Sequence, residues 1–308
     1  MRAEPILIDC DPGQDDAVAL LLAFAEADRL DLKAITAVAG NAPAERTTAN
    51  ALRVRDLARA ATPVFRGAEA PLVLPLETAE FVCGPDGLAG SGLPPPASAA
   101  QAGHAVHAIV ELCRAAPENG VTLCALGPLT NLALAFRLAP DILPRVRRIV
   151  MMGGAVGLGN MTPAAEFNVY VDPHAAAVVL GCGRPVVMFG LGVTLQALAS
   201  AEQIARLGAA NAAGRCVQGM LTRPRPGGLG STGHPMHDPC VVAWLLWPEL
   251  FEGRDCFVEV ETGAGPLRGR TTIDWNARLK RAPNVHVIGA LDAPEMFERL
   301  IASLSRLP

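Results

Sequence analysis

The sequence begins with a short apolar run that ends in a cluster of carboxylates. Residues 6–8 are isoleucine and leucine, which is typical of a buried strand, and the apolar run at 17–22 predicts a helix. Between the two runs the chain turns at Pro12-Gly13 and carries four aspartates, Asp9, Asp11, Asp15 and Asp16. The first two alternate at the strand end and share a face, and the last two open the helix, so we expect the carboxylates to converge on one point. Such a cluster would repel itself unless a cation were bound there.

The chemistry of this cluster limits which cation it can bind. Carboxylate oxygens suit a hard cation, Ca²⁺ or Mg²⁺, rather than zinc. An EF-hand calcium loop is excluded, because Leu20 stands where that loop requires glutamate and Gly13 comes one position early. The alternative interpretation is that Asp15 or Asp16 only caps the helix and interacts with its dipole. A hard-cation site is the favoured hypothesis.

Composition and charge exclude several classes of protein. The chain has 308 residues and a formal net charge of −4, and it lacks a basic cluster with interleaved aromatic residues, so we expect no nucleic-acid partner. The longest apolar run, 17–25, is too short to span a bilayer, and residues 1–4 lead into the first strand without a signal-peptide core. The eight cysteines are scattered without CxxC pairs, which is typical of reduced thiols. We therefore expect a cytoplasmic protein without a membrane partner.

Strand, turn and helix patterns alternate along most of the chain. Further buried strands are predicted at 32–39, 63–65, 121–126, 148–152 and 185–189, and helices at 44–61, 105–116 and between 201 and 221. This alternation is typical of a parallel sheet covered by helices on both faces. Two antiparallel strands around 258–261 and 270–275, a strand at 285–288 and a final helix complete the prediction. We expect an α/β fold with a mostly parallel, Rossmann-like central sheet flanked by helices, a few antiparallel strands near the C-terminus, and a single domain over residues 1–308.

Three segments carry a resemblance to a known family. Residues 9–17, Asp-Cys-Asp-Pro-Gly-Gln-Asp-Asp-Ala, are similar to the N-terminal signature of the inosine-uridine nucleoside hydrolase family, whose members cleave the N-glycosidic bond of ribonucleosides with a tightly held Ca²⁺. Residues 151–173 resemble the family's second signature in residue type and spacing. The matching residues are Gly153-Gly154, Asn160, Glu166-Phe167-Asn168 and Asp172-Pro173. His237-Asp238 resembles the third signature. The three segments occur in the family's order, so the resemblance extends over nearly the whole chain.

The resemblance implies a Ca²⁺-dependent ribonucleoside hydrolase of nucleoside catabolism and purine or pyrimidine salvage, assembled as a homodimer or homotetramer. It implies that Ca²⁺ is bound by Asp11, Asp16, Asp238 and the backbone carbonyl of Leu126. Asp11 would be the base toward the attacking water, and His237 would be the acid that faces the leaving base. The substrate-binding positions that it implies are Asp15, Asn41, Cys83, Met152, Asn160, Glu166, Asn168 and Asp238.

Some of these residues also have ordinary structural interpretations. Glu166 and Asn168, in a segment interpreted as extended, would project to the same side and offer an acceptor and an amide to a polyhydroxylated ligand. Either of them alone could be a solvated loop residue. Asn41 follows a predicted strand, where α/β sheets place ligands, but a plain turn would also account for it. His237-Asp238 could be a helix cap with a neighbouring imidazole.

Two loops are expected to border the site. Residues 67–100 are rich in Gly, Pro and Ala, and loops of that length are usually functional lids or disordered. Within this loop Cys83 stands where many family members have histidine, which resembles a bacterial subset with cysteine there and leaves its role toward the nucleobase open. Residues 224–233 are a flexible loop by composition and lack the aromatic residues that many members place there. These segments do not predict the preferred nucleobase.

Two other classes of function remain open at this level. A strand followed by Asp-x-Asp also opens the Mg²⁺-dependent haloacid-dehalogenase-type phosphatases, which form an aspartyl phosphate. Those enzymes need a lysine near the phosphate, and the only lysines, Lys33 and Lys280, do not stand in a fitting context. A non-catalytic Ca²⁺-dependent ribonucleoside-binding protein would keep the ribose contacts without turnover, although Asp11 and His237 are both present.

Overall fold

One sheet of eight strands organises the computed structural model, which describes residues 3–223 and 233–308. The described strands are β1 (Glu4–Cys10), β2 (Leu30–Ala37), β3 (Val64–Arg66), β4 (Val121–Ala125), β5 (Val146–Met152), β6 (Val186–Phe189), β7 (Leu198–Ala199), β8 (His234–Pro235), β9 (Phe251–Cys256), β10 (Val258–Val260), β11 (Thr271–Ile273) and β12 (Val285–Leu291). The sheet order is β3-β2-β1-β4-β5-β6-β12-β9, and its pairs are parallel except β12 with β9. The predicted fold class is confirmed, including an antiparallel β10–β11 pair near the C-terminus.

Helices cover this sheet. They are α1 (Gln14–Ala25), α2 (Ala44–Leu57), α3 (Glu80–Cys83), α4 (Ala105–Ala115), α5 (Thr130–Leu138), α6 (Phe167–Val171), α7 (Pro173–Leu180), α8 (Leu191–Thr194), α9 (Ala201–Ala210), α10 (Ala212–Leu221), α11 (Pro239–Leu246) and α12 (Ala293–Leu304). Two short 3₁₀ segments, Pro140–Arg145 and Pro248–Leu250, precede β5 and β9.

Both faces of the sheet are buried against helices. In β1, Ile6 and Ile8 belong to the apolar layer that also contains residues of α1, α10, α11 and α12, whereas Leu7 belongs to the opposite layer, with α4, α5 and α7. A parallel strand that is covered on both faces needs apolar residues at successive positions. This double burial explains why β1 is encoded as an unbroken apolar run rather than as an alternating pattern.

Several local predictions differ from the structure. The helix predicted at 44–61 ends at Leu57, and the loop predicted at 67–100 contains the short helix α3. The helical region at 201–221 is two helices, because the side chain of Asn211 accepts a hydrogen bond from Gly214 N and starts α10. Strand β9 was not predicted, since its four middle residues are exposed at the sheet edge and show no apolar pattern. Apart from Gly233, the loop predicted at 224–233 lies outside the described residues.

The sheet order determines where a ligand can bind. Strands β2 and β3 lie on one side of β1, and β4, β5 and β6 lie on the other, so the order reverses direction between β1 and β4. In α/β sheets, ligands bind outside the carboxyl ends of the strands at such a switch point. At this edge Asp11, Asn41 and Leu126 follow the ends of β1, β2 and β4, respectively. Met152 is the last residue of β5.

Candidate active site

The carboxylate of Asp11 lies in a narrow space between two glycines. Asp11 is 1% exposed, and its Oδ2 accepts a hydrogen bond from the backbone N–H of Asn41 at 2.7 Å. Its Oδ1 has no hydrogen-bond partner among the described residues. A Cβ at Gly40 would collide with Oδ2, and a Cβ at Gly127 would lie 2.5 Å from Oδ1. The turns after β2 and β4 therefore need glycine to leave room for this carboxylate.

A group of three further carboxylates lies beside Asp11. Oxygens of Asp15, Asp16 and Asp238 all lie within 4.8 Å of one another, a spacing at which they could hold a metal ion. Asp16 also accepts hydrogen bonds from Gly13 N at 2.9 Å and from Asp11 N at 3.3 Å, so the helix-cap interpretation is correct for this residue without excluding a ligand role. Asp238 stands at the N-cap position of α11, but its side chain makes no capping hydrogen bond. Helix capping therefore does not explain Asp238.

Burial makes these carboxylates costly as anions in the absence of a cation. Removal from water, together with repulsion from neighbouring aspartates, raises the pKa values of Asp11 and Asp238 well above their ordinary range. Burial and the charge of Asp15 raise the pKa of Asp16 to about 7, although hydrogen bonds oppose the shift. The site thus concentrates buried negative charge that a positive ion would compensate.

Asp9 does not belong to this group. Its Oδ1 accepts hydrogen bonds from Thr36 Oγ1 at 2.5 Å and from Asn131 Nδ2 at 2.8 Å, and the residue is fully buried. Asn131 also donates to the carbonyl of Ala37 and accepts from Ala68 N, so it links the ends of β1 and β2 to the segment after β3. The prediction that all four early aspartates converge on one point is wrong for Asp9, because this hydrogen-bond network holds its carboxylate.

The second signature forms the other wall of the site. Asn168 lies in α6, and Glu166 is the N-cap of that helix, so the prediction of an extended segment is wrong. Glu166 accepts hydrogen bonds from Gly154 N, Asn168 N and Val169 N, and burial raises its pKa to about 7. A carboxylate that caps a helix satisfies backbone donors that would otherwise be unpaired. Glu166 is therefore a structural residue of α6, whatever it contributes to a ligand.

Asn168 connects α6 to the ends of two strands. Its Nδ2 donates to the carbonyl of Leu126 at 2.7 Å and to that of Met152 at 3.2 Å. Asn168 was predicted to bind ribose. These contacts place it next to Leu126, whose carbonyl was predicted to bind Ca²⁺, and next to Met152, which was predicted to bind substrate. Asn160 is exposed, and its Oδ1 accepts a hydrogen bond from Phe167 N at 2.9 Å. The loop that carries Asn160 is thereby attached to the start of α6.

The remaining predicted residues lie near these walls. Nδ2 of Asn41 lies 3.2 Å from the Asp11 carbonyl and 3.3 Å from Asp16 Oδ2, so it is more than a turn residue. Cys83, at the end of α3, is 4% exposed, and its Sγ lies 3.6 Å from Asn41 Oδ1. His237 is partly buried, and its Nδ1 lies 2.8 Å from Oγ1 of the fully buried Thr194. Sequence reasoning did not single out Thr194, because only the fold brings α8 next to residue 237.

Comparison with known proteins identifies the family. The model of the inosine-uridine preferring nucleoside hydrolases matches residues 6–298. The chain belongs to this family. It is therefore a hydrolase acting on N-glycosyl compounds, and the haloacid-dehalogenase-type phosphatase is no longer the competing interpretation.

Individual relatives match this chain over nearly all of its length. The pyrimidine-specific ribonucleoside hydrolase RihA of Shewanella baltica is 43% identical over 97% of this chain and 95% of its own. The structure of a purine-preferring ribonucleoside hydrolase from Gardnerella vaginalis is 28% identical, covers 98% of both chains and has a TM-score of 0.89. An inosine-guanosine nucleoside hydrolase structure is 31% identical, covers 99% of both chains and has a TM-score of 0.88. Within residues 3–223 and 233–308, the helices are too short or too polar to cross a bilayer.

Proposed function

We propose that this protein hydrolyses the N-glycosidic bond of ribonucleosides to ribose and free base, that it uses a bound Ca²⁺, and that it prefers pyrimidine ribonucleosides. The observation that carries the proposal is the group of carboxylates of Asp15, Asp16 and Asp238, the last two of them buried, together with the neighbouring buried carboxylate of Asp11. The preference for pyrimidines is supported by the 43% identity to RihA of Shewanella baltica, which exceeds the 28% identity to the purine-preferring enzyme of Gardnerella vaginalis.

The donor atoms fit Ca²⁺. Asp11, Asp16 and Asp238 would hold the ion together with the carbonyl of Leu126, and hard oxygen ligands of this kind are what Ca²⁺ requires. The buried Oδ1 of Asp11, which lacks a hydrogen-bond partner among the described residues, is a ligand atom of the right chemistry. When bound, the ion supplies positive charge that balances the carboxylates and polarises a water molecule and the ribose hydroxyls.

The protein's own groups would divide the remaining work. Asp11 would take a proton from the attacking water, while the backbone N–H of Asn41 holds its carboxylate in position through Oδ2. Asp15, Asn160, Glu166 and Asn168 would bind ribose hydroxyls, and Glu166 would also keep α6 in position as its N-cap. His237 would give a proton to the departing base. Asn41 positions Asp11 and Asp16 for these steps.

Two further properties belong to the proposal. The eight cysteines all lie within the described residues and form no disulfide, which is in keeping with a reducing compartment and supports a cytoplasmic location. A homodimer or homotetramer is what the family resemblance implies. Size-exclusion chromatography with light scattering would determine the assembly.

The direct test is a panel of ribonucleosides. Uridine, cytidine, inosine, adenosine and guanosine are each incubated with the Ca²⁺-loaded protein, and free base and ribose are quantified. We expect release from the pyrimidine ribonucleosides with kcat/KM at least about tenfold above that of the purines. Tight binding of a nucleoside without release of base would instead support the non-catalytic binding protein, and a purine preference would overturn the assignment of the base.

Removal of calcium is expected to abolish activity and to lower stability. Prolonged chelation would leave the carboxylates of Asp11, Asp16 and Asp238 buried without compensation. Because a ligand at about 100 times its Kd stabilises a protein by about 2.7 kcal/mol, we expect Tm to fall by at least about 5 °C. Thermal unfolding and base release are measured before chelation, after it and after Ca²⁺ is restored, with equimolar Mg²⁺ as the control. A fully active metal-free preparation would contradict the proposal.

The role of His237 is testable through the leaving group. His237→Ala is expected to slow uridine hydrolysis by about 10²–10⁴-fold, because a nucleobase anion leaves poorly without a proton, while nitrophenyl riboside, whose leaving group needs none, should react almost normally. The contact with Thr194 makes Thr194→Val a companion variant that disturbs the imidazole without removing it.

The same two substrates distinguish His237 from Cys83. A thiol is ordinarily a weaker acid than an imidazolium, so Cys83→Ala should change both reactions little. Equal losses on both substrates in His237→Ala would mean that His237 organises the metal site instead. A loss confined to uridine in Cys83→Ala alone would assign the acid to Cys83.

A further inference from the structure

The segment that carries Cys83 is attached to the metal-binding turn by two buried amides. Residues 83–90, here called the Cys83 segment, lie against residues 12–14. Asn50 Nδ2 donates to the carbonyls of Pro12 at 3.0 Å and Asp86 at 2.7 Å. Gln14 Nε2 donates to the carbonyl of Ala89 at 3.2 Å. Hydrogen bonds from other parts of the chain therefore fix the position of the Cys83 segment. Its own sequence has no periodic apolar pattern that would favour a helix or a strand.

Gln14 makes a second contact with a distant helix. The same Nε2 donates to the carbonyl of Met220 in α10 at 3.2 Å, so the two N–H groups of one amide join two separate parts of the chain. The side chain is 3% exposed, and its Oε1 is buried without a hydrogen-bond partner among the described residues. Burial of an unpaired polar atom destabilises the fold. An apolar residue of similar size would therefore give a more stable protein if this position served packing alone.

The two parts that Gln14 joins also touch each other directly. Gly90 of the Cys83 segment and Gly219 of α10 are so close that a Cβ on either residue would collide with the carbonyl of the other. Gly90 has a φ of +93°, which is strained for other residues. The Cys83 segment, α10 and the start of α1 therefore meet at one point, with Gln14 between them. Asp15 and Asp16 follow Gln14 immediately along α1.

We propose that Gln14 is a positioning residue. It fixes the position of the Cys83 segment and of the end of α10 relative to the carboxylates of Asp15 and Asp16. This inference rests on the proposed function, in which Asp15 binds ribose, and it adds that the Cys83 segment borders the base. Because the side chain of Gln14 bonds the Cys83 segment and α10 rather than the carboxylates, its loss should disturb the fit of the whole nucleoside while the binding of ribose and of Ca²⁺ is kept.

Two near-isosteric variants isolate the donors. Gln14→Met keeps the length of the side chain and removes both N–H groups, and Gln14→Glu replaces them by an oxygen that faces two carbonyls. We expect KM for uridine to rise about tenfold or more in both variants, with an unchanged Ki for ribose as a competitive inhibitor and unchanged bound calcium. Gln203→Met is the matched control, because the described side-chain hydrogen bond of Gln203 is from Ser200 N at the start of α9 and does not involve Ala89 or Met220, so its replacement should lower Tm without raising KM.

Hydrogen exchange supplies a readout that does not depend on activity. The amides of Gly87, Ala89 and Ser91 bond within the Cys83 segment or at its end, and they should exchange about tenfold faster in Gln14→Met, while amides inside α1 keep their protection. Unchanged exchange of these amides together with an unchanged KM would overturn the proposal. If the unmodified protein released no base from any ribonucleoside, the proposed function would fail, whereas the exchange experiment would still decide whether Gln14 holds the segment.

Discussion

Asp11→Asn is expected to reduce the turnover of uridine by about 10⁴-fold while the fold is retained. Loss of a general base alone typically costs about 10²–10⁴-fold, and the same substitution also removes one proposed Ca²⁺ ligand. The asparagine side chain has nearly the same shape, so it fits between Gly40 and Gly127. kcat at saturating uridine and the calcium content of the purified variant are the measurements.

Stability should respond to Asp11→Asn in the opposite direction. In the metal-free protein the Asp11 carboxyl has a pKa raised by burial and by repulsion from Asp16, so its ionised form destabilises the fold. Asparagine removes that charge, and Tm in the presence of a chelator should therefore be equal to or above that of the unmodified protein. This combination, an inactive but more stable metal-free variant, is typical of a functional residue held at a cost in stability.

Asp86→Asn is the matched control for this experiment. The Asp86 carboxylate belongs to the Cys83 segment, but its side chain is 52% exposed and lies 3.6 Å from a guanidinium nitrogen of Arg53. Exposed ion pairs contribute little, so both turnover and Tm should change slightly. If Asp11→Asn and Asp86→Asn reduced turnover equally, the catalytic role of Asp11 would be refuted.

Removal of the 2′-hydroxyl from the substrate is expected to have an effect of similar size. Uridine and 2′-deoxyuridine have the same leaving group, so a comparison of their kcat/KM values isolates the ribose contacts. A site built to bind a hydroxyl rejects an analogue without it by roughly 10⁴-fold or more, because its buried polar groups are left unpaired. Asn168 is buried and donates to the Leu126 and Met152 carbonyls, Glu166 is buried at the start of the same helix, and Asp15 lies in the adjacent carboxylate group.

The protein variant that tests this recognition is Asp15→Asn. Glu166 is a poor choice, because its replacement would also uncap α6 and displace Asn168. Asp15 has no such structural role among the hydrogen bonds described, and its replacement should lower kcat/KM for uridine much more than for 2′-deoxyuridine. Comparable rates of the unmodified protein on the two nucleosides would show that ribose hydroxyls do not dominate recognition.

The sequence by itself determined the architecture and the place of the site. The unbroken apolar run of β1 predicted a buried strand, and the turn that follows it carries the carboxylates of the candidate site. These features are local, since a strand pattern, a Pro-Gly turn and a helix start are encoded by neighbouring residues. For the same reason the exposed edge strand β9 was missed: its middle residues contact solvent and leave no pattern to recognise.

The tertiary structure decided which side chains work together. Asp9 and Asp11 are two positions apart, yet only contacts with Thr36 and Asn131 show that Asp9 is held in a separate network. The same holds for the pairing of His237 with Thr194, and for Gln14, whose amide bonds a carbonyl 206 positions along the chain. The direction of a side chain depends on the partners that long-range packing brings to it, and sequence spacing carries no information about partners that distant.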